Sequence, residues 1–361
     1  MHFSRFGVRR STATAAVVLA LILQRQLPGV SRDSLPVSLT DAEFWSLIEK
    51  VSEPDGYFRS NSGSPDNLLS NEIVIATVAA SLGRTVKPSG VYLGVGPEQN
   101  FTYIVAMRPR IAFITDIRRG NLQLHLLYKA IFELSEDRAS FVARLFSRKP
   151  YAGLPPAASA DQLMSAFLSA PPVDQEGFQA NFNAVIAHLT KTRKLPIGKD
   201  DMEGILYVYR NFHQFGPAIN YTSSIGGRAT GSSYAGIMAS RDRDTGEERT
   251  YLATNEAYAQ IRAMQRKNLI VPIVGDFAGP RALRAVGSYL RDHGAVLSAF
   301  YVSNVEDYLR RNGVWPAFCA NVASMPLDAS SVFIRPGGRS GSFNGMQAET
   351  AACSRSRSSD R

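Results

Sequence analysis

The sequence predicts an α/β protein built on a doubly wound, Rossmann-like sheet, with a mostly helical insertion between its second and third strands. Three observations lead there. Two stretches read strand, turn, helix, strand: "VYLGVGPEQNFTYIVAMRPRIAFITD", from Val91 to Asp116, and "LIVPIVGDFAGPRALRAVGSYLRDHGAVLSAFYVSN", from Leu269 to Asn304. What separates them is mostly helical, which points to a doubly wound sheet rather than a sandwich or a bundle. That separator, residues 121–268, is too long for a connection and reads as an inserted subdomain.

Taken in order, residues 1–32 form a leader. Its basic start is followed by an apolar run over 13–23, too short to cross a bilayer, where about 20 residues are needed. The run matches the apolar core of a secretory signal, although Gln24, Arg25 and Gln26 stand where a small-residue cleavage site would follow. Arg9-Arg10 resembles a twin-arginine export signal. The leader therefore predicts export or membrane anchoring through 13–23, and a misassigned start codon would leave a cytoplasmic protein. Next, "LTDAEFWSLIEKVSE" is an amphipathic helix capped by Thr40 or Asp41. After a polar loop, "LLSNEIVIATVAASLGR" reads as a second helix leading to Val91. In the first strand–turn–helix–strand block, Gly96 opens the helix and Pro109 ends it.

"NLQLHLLYKAIFELSEDRASFVARLFS" breaks into two helices, because Ser135, Glu136 and Asp137 form a helix start in mid-run. Residues 149–175 are a loop with one short helix. "EGFQANFNAVIAHLTKTR" and "DDMEGILYVYRNFHQF" are helices, and 216–253 is irregular with a small hairpin turn at "DTGEE". Helix "NEAYAQIRAMQRKN" then leads into the second block, where Pro280 and Gly294 bracket a helix. A last strand, "SSVFIRP", ends the folded part at 335. The remainder, 336–361, reads as a disordered basic tail. Cys353 lies in it, so no structural disulfide with Cys319 is expected. The five histidines lack ligand spacing, so no metal site is expected.

Of the net charge of +9, residues 1–32 carry +5 and residues 335–361 carry +3, which leaves the body near neutral. Charge confined to the ends gives no basic face, so no nucleic-acid partner is expected for the folded body.

In doubly wound sheets ligands sit at the carboxyl ends of the strands. Gly94 and Gly96, Asp116, Asp276 and the Ser303-Asn304 pair all fall there. Asp116 stands 22 residues after Gly94, the separation at which dinucleotide folds place the acid that accepts from ribose hydroxyls. Gln99 occupies the third glycine position of GxGxxG, and Pro97 removes an N–H from the helix start, so a pyrophosphate is disfavoured. An adenosine without phosphate fits better, which means S-adenosylmethionine.

"VYLGVG" with Asp116 and "VPIVGDFAG" resemble the glycine-rich motif, the ribose acid and the adenine-side motif of class I S-adenosylmethionine-dependent methyltransferases. The blocks "DNLLSNE", "LGVGPEQN", "ITDIRR" and "VGDFAGP" are similar to an uncharacterised bacterial family with that fold. The resemblance spans most of 40–335. It implies that Gly94 and Gly96 lie against the methionine part, that Asp116 takes the ribose, and that Asp276 and Phe277 flank the adenine. Tyr92 departs from it, standing where an acid is usual. Asn71 and Glu72 are further cofactor-side candidates, with Asn304.

For catalysis, His213 is the candidate base and Tyr221 a candidate wall. Arg118-Arg119 is a candidate anion attractor set against a solvated loop. The function expected is a methyltransferase-like protein with a small-molecule or surface-component acceptor, the insertion capping the carboxyl edge of the sheet. The alternative is an exported or membrane-anchored binding protein that has kept the pocket without the reaction. A dinucleotide oxidoreductase comes third.

Overall fold

The computed structural model describes residues 1–2, 34–58, 66–226, 231–338 and 341–359, with side chains to residue 353. The apolar run at 13–23 and Arg9-Arg10 lie outside the described residues. Among those described, no helix is long and apolar enough to cross a membrane.

The first helix, α1 (Asp41–Val51), opens on a capping box in which Thr40 accepts from the Glu43 N–H and Glu43 accepts from the Thr40 N–H. The second, α2, runs Ile75–Thr85. It starts later than its apolar pattern predicts, and ahead of it the Ser70 N–H donates to the buried Glu98 carboxyl group. Then come β1 (Val91–Val95), α3 (Gln99–Met107) and β2 (Ile111–Asp116). Every residue of both strands is buried, as a parallel sheet covered on both faces requires.

The insertion comprises α4 (Arg119–Leu134), α5 (Arg138–Leu145), α6 (Ala160–Ser169), α7 (Gln175–Ala187), α8 (Lys199–Phe215), the short α9 (Tyr234–Met238) and α10 (Asn255–Arg266). Asp137 caps α5, so the mid-run break falls where expected. The turn at "DTGEE" makes a single antiparallel bridge, Arg241 to Glu248. The chain continues through β3 (Ile270–Val274), α11 (Ala282–Asp292), β4 (Leu297–Tyr301), α12 (Val305–Arg311), α13 (Trp315–Ala323), β5 (Val332–Arg335), β6 (Ser342–Gly345) and α14 (Met346–Ser359).

The strand order is β3-β2-β1-β4-β5-β6, parallel except for β6. The doubly wound sheet with its insertion between β2 and β3 is thus as the sequence predicts. Helices α3, α4 and α10 pack on one face, and α1, α11 and α13 on the other. The insertion is not simply a cap: α4 lies against β2 and β3 as the crossover helix, and α10 packs on α4. A buried ionic cluster pins this face. The Lys129 ammonium donates to Glu133 (2.7 Å), Gln265 O (2.6 Å) and Asn268 Oδ1 (2.5 Å), while Glu133 also accepts from Arg193 (2.6 Å).

The C-terminal segment departs from expectation. Residues 341–359 form β6 and α14 rather than a disordered tail, because three tethers offset the polar composition. Arg335 pairs with both Glu306 and Glu349, Met346 is fully buried, and Cys319 of α13 is joined to Cys353 of α14 by a disulfide. That bridge was not expected. It forms because α14 folds back on α13 and brings the two Cα atoms to 6.1 Å.

Candidate functional site

Strand order reverses between β1 and β4, and a cavity of about 180 Å³ opens there at the carboxyl ends of the strands. Gly96, Asp116, Asp276, Phe277, Asn304, Asn71 and Tyr221 line it, so most of the residues chosen from the sequence converge on one place. Gly94, Glu72 and His213 do not line it.

The glycine turn is held from behind. Gly96 has φ +80°, donates its N–H to Thr115 O (3.2 Å), and faces Asn67 and Gln99 at distances that leave a Cβ little room. Its carbonyl accepts from His125 Nε2 (2.9 Å). A carbonyl only accepts, so Nε2 carries the proton, and burial pushes the His125 pKa down to about 4. Asn100 Nδ2 donates to Val95 O, Gly96 O and Pro97 O, and Asn100 Oδ1 accepts from the Tyr92 hydroxyl (2.7 Å). Gly94 makes room for that pair: a Cβ there would overlap Asn100 Oδ1 and the Tyr92 ring. Gly94 is therefore a packing glycine, and Tyr92 is a staple of the turn.

Between these lies Glu98, fully buried, its two oxygens each 3.2 Å from the Ser70 nitrogen. Burial pushes its pKa up to about 8, so it holds its proton at neutral pH. Gln99 donates to Val95 O (2.9 Å), and its Oε1 is buried with no partner among the described residues.

Asp116 ends β2, and α4 starts sooner than expected, at Arg119. The aspartate therefore has a local role at the start of that helix. Its Oδ1 accepts from the Arg118 N–H (3.0 Å) and from Arg118 Nε (3.1 Å), and Oδ2 accepts from Arg118 Nη2 (3.3 Å). Arg119 is engaged by Asp201 through two contacts of 2.7 Å. Both arginines of "ITDIRR" thus hold carboxylates, which overturns their reading as an attractor for an anionic acceptor.

Asp276 follows β3. Its Oδ1 accepts from the Ala278 N–H (2.9 Å), again a turn role. Phe277 shows only an edge, 3% exposed, with its ring against Phe300 and Phe318. Two residues the sequence reading passed over fix this turn. The Glu53 carboxylate accepts from the N–H groups of Asp276 (2.9 Å), Arg281 (2.7 Å) and Ala282 (2.9 Å), and so caps α11 from outside the helix. Asn321 Nδ2 donates to Phe277 O and Gly279 O, both at 2.8 Å. Pro280 accordingly precedes α11 instead of opening it.

On the β4 side, Tyr301 and Ser303 line the cavity. The Tyr301 hydroxyl (2.9 Å) and Ser303 Oγ (3.2 Å) both donate to Glu72 Oε1. Burial raises the Glu72 pKa against the pull of those two hydroxyls. Ser303 sits in the left-handed region, φ +50°, a conformation a non-glycine residue adopts at some cost. His213 lies elsewhere. Its ring stacks on Phe178 (4.7 Å) and its Nε2 donates to Val173 O (3.2 Å), both inside the insertion. Its neighbours in sequence gave no sign of this.

The family described as a domain of unknown function (DUF7790) matches residues 68–154 and 231–352. No curated protein matches the chain.

Proposed function

The chain belongs to the DUF7790 family, whose description names no activity, and from the geometry of the cavity we propose that it binds S-adenosylmethionine and transfers its methyl group. One observation carries the proposal: a left-handed glycine turn, an aspartate ending β2 and an aspartate–phenylalanine pair after β3 line a single cavity at the switch point of the sheet. Gly96 presents bare backbone between the Asn67 and Gln99 side chains, Asp116 is the acceptor for the ribose hydroxyls, and Asp276 with the edge of Phe277 borders the base. Arg118 turns aside from Asp116 when the ribose takes its place. S-adenosylmethionine supplies an electrophilic methyl on a sulfonium, and such a transfer depends chiefly on alignment.

The proton of the acceptor passes to Glu72 through the hydroxyls of Ser303 and Tyr301. A buried carboxylate with raised proton affinity suits that role, and His213 is too remote for it. The Asp116–Arg118 contact favours one competing reading, a binding protein whose ribose acid is permanently masked. Gln99 at the third glycine position continues to disfavour a dinucleotide.

Thermal unfolding with S-adenosylhomocysteine tests the proposal. At a hundred times its dissociation constant the ligand stabilises by about 2.7 kcal/mol. With about 2.1 cal/mol/K of unfolding entropy per residue, Tm rises by roughly 3–4 °C. Asp116→Asn and Asp276→Asn should each weaken binding at least tenfold. Unchanged affinity in both removes these residues from the site. A shift with NAD alone returns the dinucleotide reading, and binding without transfer of labelled methyl to cell extract returns the binding protein.

A further inference from the structure

A second cleft, about 380 Å³, lies within the insertion and away from the switch point. Its walls come from α5, the 147–151 segment and α7, and its polar groups are Arg144, Arg148, Ser140, Tyr151 and Asn181. Two arginines thus line one cleft, and neither makes a salt bridge among the described residues. The carboxylate that also borders the cleft, Asp137, is committed to capping α5: its Oδ1 accepts from the Ser140 N–H at 2.7 Å.

Arg148 is held rigidly. Its Nη1 donates to Phe146 O (3.1 Å) and His213 O (3.0 Å), and the guanidinium lies where a Cβ on Gly216 would stand. Gly216 has φ +59°, so it is suited to its conformation and to the arginine at once. The strand-like bridge from Arg148 to Pro172 fixes the backbone beneath it. Burial without a counter-charge lowers the Arg148 pKa. In Arg144, Nε is buried and has no acceptor among the described residues. A buried guanidinium N–H without an acceptor is costly, and a second fixed cation in the same cleft adds to the cost. An oxyanion between the two would relieve both, since guanidinium groups bind phosphate through paired, charge-assisted hydrogen bonds.

We propose that this cleft binds a phosphate group, carried by inorganic phosphate or by a small phosphorylated ligand, with Arg144 and Arg148 as the cationic contacts and Asn181 and Tyr151 at the rim. The site is independent of the reaction proposed above. The test is isothermal titration of the full chain with inorganic phosphate, at ionic strength held constant with sodium chloride. Binding with a dissociation constant below about 5 mM is expected, weakened at least tenfold by Arg144→Gln. Arg210→Gln, on an exposed side chain of α8, should leave it unchanged. Arg148→Gln removes two contacts to carbonyls as well as a charge, so Arg144→Gln is the deciding variant. Absence of phosphate binding to the wild-type chain overturns the proposal, as does binding that Arg144→Gln leaves intact. Acetate binding as tightly as phosphate would overturn the assignment of phosphate. Glycerol 3-phosphate binding more tightly than inorganic phosphate would support a phosphorylated ligand over the free ion.

Discussion

Removing the Glu53 carboxylate should loosen the turn that borders the cavity and destabilise the whole chain. Three backbone N–H groups converge on it, one on Oε2 and two on Oε1. Glu53→Gln keeps one oxygen, which can still take two of them, and sets its amide against the third. The cost is one hydrogen bond to a charged group, about 1.5–3 kcal/mol, plus about 0.3–1 kcal/mol for the lost negative charge at the start of α11. A loss of roughly 2–4 kcal/mol follows, and Glu53→Ala, which strands all three donors, should lose more. Urea unfolding followed by circular dichroism measures it. With a denaturant slope of about 3 kcal/mol/M, the midpoint falls by roughly 1 M. Glu203→Gln is the control, because that side chain is exposed and, among the described residues, its one salt bridge is to Lys199 at 3.7 Å. A midpoint in Glu53→Ala equal to that of the control would refute the account of the turn.

Two further predictions concern stability. Glu98 has its pKa raised from 4.5 to about 8 by burial. The stability it contributes is fully present below pH 4.5 and is lost as pH rises through 8. Glu98→Gln should therefore flatten the decline of the urea midpoint between pH 5 and 9, and an unaltered decline would contradict the assignment. The Cys319–Cys353 bridge closes a segment of sequence separation 34, worth about 4 kcal/mol in chain entropy. Intact-mass analysis should find no free thiol before reduction, and Cys353→Ser should lower stability by up to that amount.

The five parallel strands and their order of appearance were legible because such a strand is a short apolar run that needs no partner to be noticed, whereas the antiparallel β6 was not. Gly96 and Asp116 were legible because their spacing is local to one βαβ unit. Residues whose roles depend on distant chain were not. Glu53 takes donors more than 220 residues away, and nothing around it marks that work. The start of α2 was misjudged because Leu68, Leu69 and Val74 continue a helical stripe, whereas the Ser70 N–H donates to Glu98. His213 was chosen as a base for its residue type, but its surroundings are Phe178 and Val173 from another part of the insertion. The C-terminal helix was missed because polar composition says nothing about Arg335, a single side chain that reaches two glutamates.

The insertion has a consequence for the chain as it leaves the ribosome. β2 pairs with β3 from Ala112 opposite Ile270 to Asp116 opposite Val274, yet about 150 residues separate the two. At about 5–20 residues per second, β3 follows β2 by roughly 8–30 s. Over that interval one edge of a strand that is apolar from Ile111 to Ile114 waits unpaired, the condition that invites pairing with another chain. The crossover helix α4, buried on most sides once α8 and α10 have packed on it, waits as well. Folding of α5 to α9 as a unit does not relieve this, because the cover for β2 is β3 itself. The sheet is therefore completed late, and the length of the insertion sets the time for which that edge of β2 stays open on the nascent chain.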